Sequence, residues 1–125
     1  KAILSNKNNL KRIIYIVHKE IRNRMKLFLK QKRNKKIVIL DIPLLLENKL
    51  NNKKDILVFV QSKRIDIEKR LINRKNFNRK LFNRFKKIQF SSNYKKKKSH
   101  FIIKNDFTKK TINTNIKDIL KKIKQ

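Results

Sequence analysis

The 125 residues contain no glycine. Glycine is the residue that reaches positive φ freely and lets a backbone approach a ligand closely, and phosphate-cradling loops use both properties. Globular chains ordinarily carry about 7% glycine. A glycine-free chain therefore holds no phosphate loop within itself. The first residue is Lys rather than Met. We expect an incomplete piece of a longer protein whose beginning is missing, or a processed or truncated chain; the sequence is compatible with either.

Composition narrows the function classes. Hydrophobic residues make up 38% of the chain, enough for a modest core and too many for wholesale disorder. Lys and Arg number 38 against 8 Asp and Glu, a formal net charge of +30. Such a charge makes nucleic acid, anionic lipid or phosphorylated small molecules plausible partners. It also has a plainer origin, because Lys, Asn and Ile are in excess together, as AT-rich coding would favour on a solvated surface. Cysteine is absent, which excludes disulfides, thiolate metal sites and a thiol nucleophile. His18 and His100 are far apart in sequence and form no ligand motif. No apolar run is long enough to cross a bilayer, and "KAILSNKNNLK" has no apolar signal core. Cytoplasm is the default compartment.

Residues 8–34 predict a helix, with Leu10, Ile13, Ile14, Val17, Ile21, Met25 and Phe28 at helical spacing. "KKIVILD" is a continuous, β-branched apolar run, the pattern of a strand buried on both faces. "NKLNNKKD" reads as a polar loop, and "DILVFVQ" repeats the buried-strand pattern. "SKRIDIEKRLINR" returns to helical spacing, with Ser62 a candidate N-cap. "NRKLFNRFKKIQF" predicts another amphipathic helix. "SSNYKKKKS" reads as a basic connection, "HFIIKND" as a third strand. "TKKTINTNIKDILKKIK" predicts a closing helix with Ile112, Ile116, Ile119, Leu120 and Ile123 on one side. Phe90, Tyr94 and Phe101 read as core. Strands separated by helices argue for βα units and a parallel sheet, whose ligands bind off the carboxyl ends of the strands. Asp41 falls at such an end. Pro43 suits the first turn of a following helix.

"IVILDIPLLLENKL" followed by "DILVFV" resembles the middle of the dephospho-CoA kinase family, which reads hydrophobic strand, D/E/V-x-P-L-L-F-E, loop, strand. "IEKRLINR" is similar to that family's R-L-x-x-R helix through Arg70, Leu71 and Arg74. "IQFSSNYKKKKSHFIIKN" is similar to its Q, spacer, K, A-D-x-V-I-x-N segment through Gln89, Lys95, Ile103 and Asn105. "IIYIVHKEIRNRM" resembles its "IIHPLVR" segment, with His18 in the histidine's place. Lys19 stands where the family has Pro, His100 where Asp is usual, Leu46 where Phe is usual, and Phe107 near a usual Gly. The family's opening segment, with its G-x-x-x-x-G-K-[ST] loop and an early aspartate, has no counterpart in these residues.

The resemblance implies an α/β, P-loop nucleoside-kinase-like three-layer fold with a parallel sheet, its N-terminal part missing, as a single kinase domain over 1–125 with 70–98 a basic lid. It implies transfer of the γ-phosphoryl of ATP to the ribose 3′-hydroxyl of dephospho-CoA, the last step of coenzyme A synthesis, with ATP and Mg2+ as cofactors. Such transfer is mostly positioning and charge neutralisation. Arg74 and Asp41 are then the catalytic candidates, Asp41 acting on a magnesium shell or the acceptor sugar, or else serving only as a helix cap beside Pro43. His18, Pro43, Leu44 and Glu47 fall on the substrate side. Arg70 would contact phosphates, since guanidinium forks suit phosphate oxygens, and Lys95, on the family lysine, would contact them too. Asn105 would present its amide to adenine, or else cap a turn. Arg70 and Arg74 are expected one helical turn apart on a shared face. The chain alone, without a phosphate loop, is expected not to turn over. A different class of reading is a small basic RNA-binding module, supported by the +30 charge and the Lys95–Lys98 run; its RNA binding would be unspecific and steeply salt-dependent.

Overall fold

The computed structural model describes residues 7–124, with side chains for 12, 13 and 15–124. They fall into two compact units, one ending at Asn51 and one beginning at Asn52.

The first unit is dominated by α1, Lys7–Gln31. Of the predicted stripe, Ile21 and Met25 are half-buried, whereas Ile13, Val17 and Phe28 are exposed; His18 is half-buried beside them, and Leu10 and Ile14 lie outside the described side chains. Glu20 and Arg24 pair one turn apart at 2.7 Å on the exposed face. The predicted strand over "KKIVILD" is not formed among the described residues, because no described segment pairs with it. A parallel-sheet strand needs a ladder on at least one side, and apolar composition alone does not supply one. Burial nevertheless alternates: Val38, Leu40 and Ile42 are half-buried, while Ile39 is 83% exposed. This run therefore has one covered side rather than two.

The helix expected from Pro43 is also replaced. Residues 43–49 form successive turns, interrupted by Leu44 at φ 57° and Lys49 at φ 50°. Asn48 closes the turn, its N–H and side-chain amide donating to the Leu44 carbonyl at 3.1 and 2.9 Å. Arg22 of α1 donates to the Asn48 carbonyl at 3.3 Å. The turn folds over Leu50, whose N–H donates to the Leu45 carbonyl. Leu50 is the one buried apolar side chain among the described residues.

The second unit opens with the expected polar loop, where the Asn52 N–H donates to Asp55 Oδ2 at 2.7 Å. It continues through β1 (Val58–Gln61), α2 (Arg64–Ile72), α3 (Arg79–Ile88), α4 (Ser92–Lys98), β2 (Phe101–Lys104) and α5 (Lys109–Lys124). The two strands are parallel, with Val58 opposite Phe101 and Gln61 opposite Lys104. The three intervening helices make the long crossover that parallel pairing demands, and α5 packs against β2. Ile112, Ile119, Leu120 and Ile123 are half-buried along α5, as its periodicity predicts, whereas Ile116, expected on the same side, is exposed.

Three local expectations need correction. Lys63, not Ser62, occupies the N-cap of α2, and no side chain caps it. The basic connection "SSNYKKKKS" is a helix, α4. Ser91 caps it by accepting the Tyr94 N–H at 3.2 Å, and lysine is a good helix former. Finally, β1 is largely exposed, Val60 at 54%, and Phe90 and Tyr94 stay exposed while their rings meet at a tilt of 57° with centroids 4.7 Å apart. β-branched and aromatic composition reports a preference for covered surface, and the covering has to come from elsewhere.

Candidate functional site

The carboxyl ends of the two strands are tied together. The Asn105 N–H donates to the Gln61 carbonyl at 2.8 Å, extending the ladder one step beyond Lys104. The chain then turns sharply. The Asn105 side-chain oxygen accepts the Phe107 N–H at 2.8 Å, which leaves the amide nitrogen of Asn105 as the group that could face a ligand. Phe107 sits at φ 65°, a conformation that costs a residue with a Cβ about 1–2 kcal/mol. Its ring carries the Arg70 guanidinium, with Cζ 3.9 Å from the ring centroid. A cation–π contact of about 0.5–2 kcal/mol, together with the turn's hydrogen bond, is of the size needed to offset that cost.

Asp106, in the same turn, anchors α5. Its carboxylate accepts the Thr108 N–H, the Thr108 hydroxyl and the Thr111 hydroxyl at 2.9, 2.8 and 2.7 Å. The Thr108 N–H, followed by the two hydroxyls, holds the Asp106 carboxyl below its ordinary range. The loop is thus rigidly specified by side chains that hydrogen-bond their own backbone.

Arg70 is on α2, but Arg74 is not. The helix ends at Ile72, and Arg74 lies in the following turn, its N–H on the Leu71 carbonyl at 3.1 Å and its carbonyl accepting from Phe77 at 3.0 Å. The shared helical face expected for the two arginines is therefore absent. The cause lies in the asparagines of "NRKNFN", which favour caps and turns over helix interiors. Asn78, the last of them, caps α3 by accepting the Leu81 N–H at 2.9 Å. Arg74 is exposed on this turn. Lys95 is half-buried on α4, and its carbonyl accepts the Ser99 hydroxyl at 2.9 Å. No Asp or Glu occurs between Glu68 and Asp106, so α3, α4 and their connections form an unbroken cationic stretch.

The other site residues belong to the first unit. His18 is half-buried on α1; Asp41 and Pro43 are exposed; Leu44 and Glu47 are half-buried in the turns that close on Asn48. Asp41 caps no helix, since none follows it directly. Among the described residues no three His, Cys, Asp or Glu side chains converge as a metal cage. A cavity of about 360 Å³ lies at the opposite, amino end of β2, lined by Ser99, His100, Phe101, Asn115, Asp118 and Lys122 among others; none of the predicted site residues lines it. Sequence reasoning missed Phe107 as a functional neighbour. Its contact with Arg70 joins two elements far apart in the chain, and no local spacing announces it.

A profile of the dephospho-CoA kinase family matches residues 1–111. The chain belongs to the dephospho-CoA kinase family. It is 30% identical over 122 residues to the dephospho-CoA kinase of Wolbachia pipientis wMel, covering 96% of this chain and 62% of that one. It is 32% identical over 126 residues to the dephospho-CoA kinase of Fusobacterium nucleatum subsp. nucleatum, covering 100% of this chain and 61% of that one. Against the dephospho-CoA kinase of the Wolbachia of Brugia malayi the identity is 28% over 122 residues, with shares of 96% and 62%. The chain thus spans about six tenths of the length of these relatives. Membership of a phosphotransferase family agrees with the parallel strand pair and its helical crossover, a mixed α/β arrangement consistent with a P-loop kinase-like fold. Among the described residues no helix is long and apolar enough to cross a membrane.

Proposed function

We propose that this chain is the substrate-side and lid portion of a dephospho-CoA kinase, transferring the γ-phosphoryl of ATP to the ribose 3′-hydroxyl of dephospho-CoA in the cytoplasm. The observation that carries the reading is the Arg70 guanidinium beside the Asn105 turn, at the carboxyl edge where ligands bind in open α/β sheets. The family match over residues 1–111 supplies the reaction.

Roles follow from the chemistry of each side chain. Arg70 and Lys95 neutralise nucleotide phosphates, and Arg74, exposed on its own turn, stabilises charge on the transferring phosphoryl group. The Asn105 amide nitrogen offers a donor to an acceptor on the adenine edge. Residues 70–98 form the cationic lid, and residues 1–125 lie within one kinase domain. His18, Pro43, Leu44 and Glu47 shape the acceptor side, and Asp41 orients the ribose. Magnesium fits as an ion held mainly by phosphates and water, since kinases bind it through few carboxylates; of the site residues Asp41 is the one suited to its outer shell. When bound, the ion supplies charge neutralisation at the phosphates.

Because the 125 residues carry no glycine-rich phosphate loop, the chain alone does not turn over. The test joins it to the opening segment of the Fusobacterium nucleatum relative and follows transfer of labelled γ-phosphate from ATP to dephospho-CoA. Transfer by the folded chimaera and none by the separate parts is the expected result. A folded chimaera that binds ATP but phosphorylates no dephospho-CoA would overturn the assignment.

A further inference from the structure

The strained residue of the second unit sits next to its best-placed cation. Phe107 adopts φ 65°, its N–H is fixed by Asn105, and Asn105 is fixed in turn by the end of β1 through Gln61. The ring that this geometry presents is the one on which Arg70 rests. Backbone strain kept beside a binding edge points to a function for the side chain it aims. Phe107 stands near a position where the family resemblance places glycine, which would hold the same φ without strain and without a ring.

We infer that Phe107 is a positioning residue: its ring holds the Arg70 guanidinium at the carboxyl edge of the sheet, so that Arg70 meets nucleotide phosphates already ordered. The inference rests on the kinase reading of Arg70. A long arginine side chain exposed on a helix loses several rotatable bonds' worth of freedom when it binds. A ring face restrains the guanidinium through charge and leaves its N–H donors unspent. The benefit to binding comes from preorganisation rather than from any contact between Phe107 and the nucleotide.

The experiment uses the full 125-residue chain with two readouts. In the first, NMR reports the Arg70 side-chain resonances, which a ring at 3.9 Å displaces by its ring current. The displacement is expected to vanish in Phe107→Leu and Phe107→Gly and to persist in Phe107→Tyr. In the second, calorimetry measures ATP affinity at low ionic strength, where the +30 charge makes binding of this tetra-anion measurable. Arg70→Ala is expected to weaken ATP binding about tenfold, the size of a lost charge-assisted contact, against a much smaller loss for the charge control Lys121→Ala. Phe107→Leu and Phe107→Gly are expected to weaken it about three- to fivefold in the parent chain and not at all in the Arg70→Ala background. Phe107→Gly suits the backbone, so its melting temperature is expected to hold while affinity falls; a purely structural ring would lose both or neither. If Arg70→Ala matters and Phe107→Leu does not, the positioning role is wrong and the kinase reading stands. If Arg70→Ala costs no more than Lys121→Ala, the phosphate role of Arg70 and the positioning role of Phe107 are both overturned, and the chimaera assay decides the kinase reading separately.

Discussion

The Thr111 hydroxyl donates to Asp106 Oδ2 at 2.7 Å while Thr108 donates twice to the other carboxylate oxygen. One exposed aspartate thereby gathers the first turn of α5. Its carboxyl is held below the ordinary 3.8, chiefly by the Thr108 N–H. A depressed carboxylate stabilises the fold above its unfolded value and loses that contribution as pH falls through its folded value. Thermal melts followed by circular dichroism from neutral pH to about pH 2 are expected to show Asp106→Asn less stable than the parent at neutral pH, with the gap closing toward acid. Glu68, lowered mainly by its hydrogen bond from Arg64, titrates with the same sign in both proteins and cancels in the comparison. A gap that stays constant with pH would reject this account of Asp106.

His100 extends the strand pair at its amino end. Its Nδ1 accepts the Leu57 N–H at 2.9 Å, and its backbone N–H donates to the Leu57 carbonyl at 2.8 Å. The family resemblance puts aspartate here, also an acceptor. His100→Ala is expected to destabilise the second unit by about 1 kcal/mol, and His100→Asp, which keeps an acceptor, by less. Urea denaturation followed by far-ultraviolet circular dichroism checks the order of the three proteins.

Lys49 is exposed and held at φ 50°, so its side chain contributes little and its Cβ costs about 1–2 kcal/mol. Glycine there relieves that cost and gives back about 0.5–1 kcal/mol through the greater freedom of the unfolded chain. Lys49→Gly is expected to stabilise the first unit by about 0.5–1 kcal/mol, and Lys49→Ala not at all. Amide hydrogen exchange of the Leu45–Leu50 turn reports the difference locally.

Arg74 is the remaining test of the lid. In the active chimaera, Arg74→Ala is expected to lower kcat on the order of 10²-fold with little change in KM for dephospho-CoA. Stopped assays across a dephospho-CoA series separate the two constants. An unchanged kcat would remove Arg74 from the catalytic machinery.

The parallel strand pair was legible because "ILVFV" and "FIIK" are β-branched runs with helical spacing between them, and the crossover then forces their direction. Helix α5 was legible because its isoleucines recur on one side. Helix α4 was not, because a lysine run has no apolar period; the cap at Ser91 and the helix propensity of lysine were the available signals. "IVIL" misled for a different reason: a strand is a relation between segments, and a segment's composition does not name its partner. Arg70 and Asn105 could be nominated by resemblance, whereas the ring under Arg70 could not. Its position depends on a left-handed turn taken by a phenylalanine, a bulky residue type from which that turn is unexpected.

The thin burial among the described residues has a consequence for how the protein behaves in a tube. Apolar side chains such as Ile39, Val60 and Ile65 stay largely exposed, and β1 and β2 pair only with each other among the described residues, leaving ladder groups available to another chain. Mutual repulsion among bodies of charge +30 opposes that pairing. Repulsion of that kind is screened within about 10 Å at 0.1 M ionic strength and about 3 Å at 1 M. The usual remedy for a basic protein, more salt to strip off contaminating polyanions, would here remove the barrier to self-association. Colloidal stability should fall as ionic strength rises, and the chain should keep best in dilute buffer.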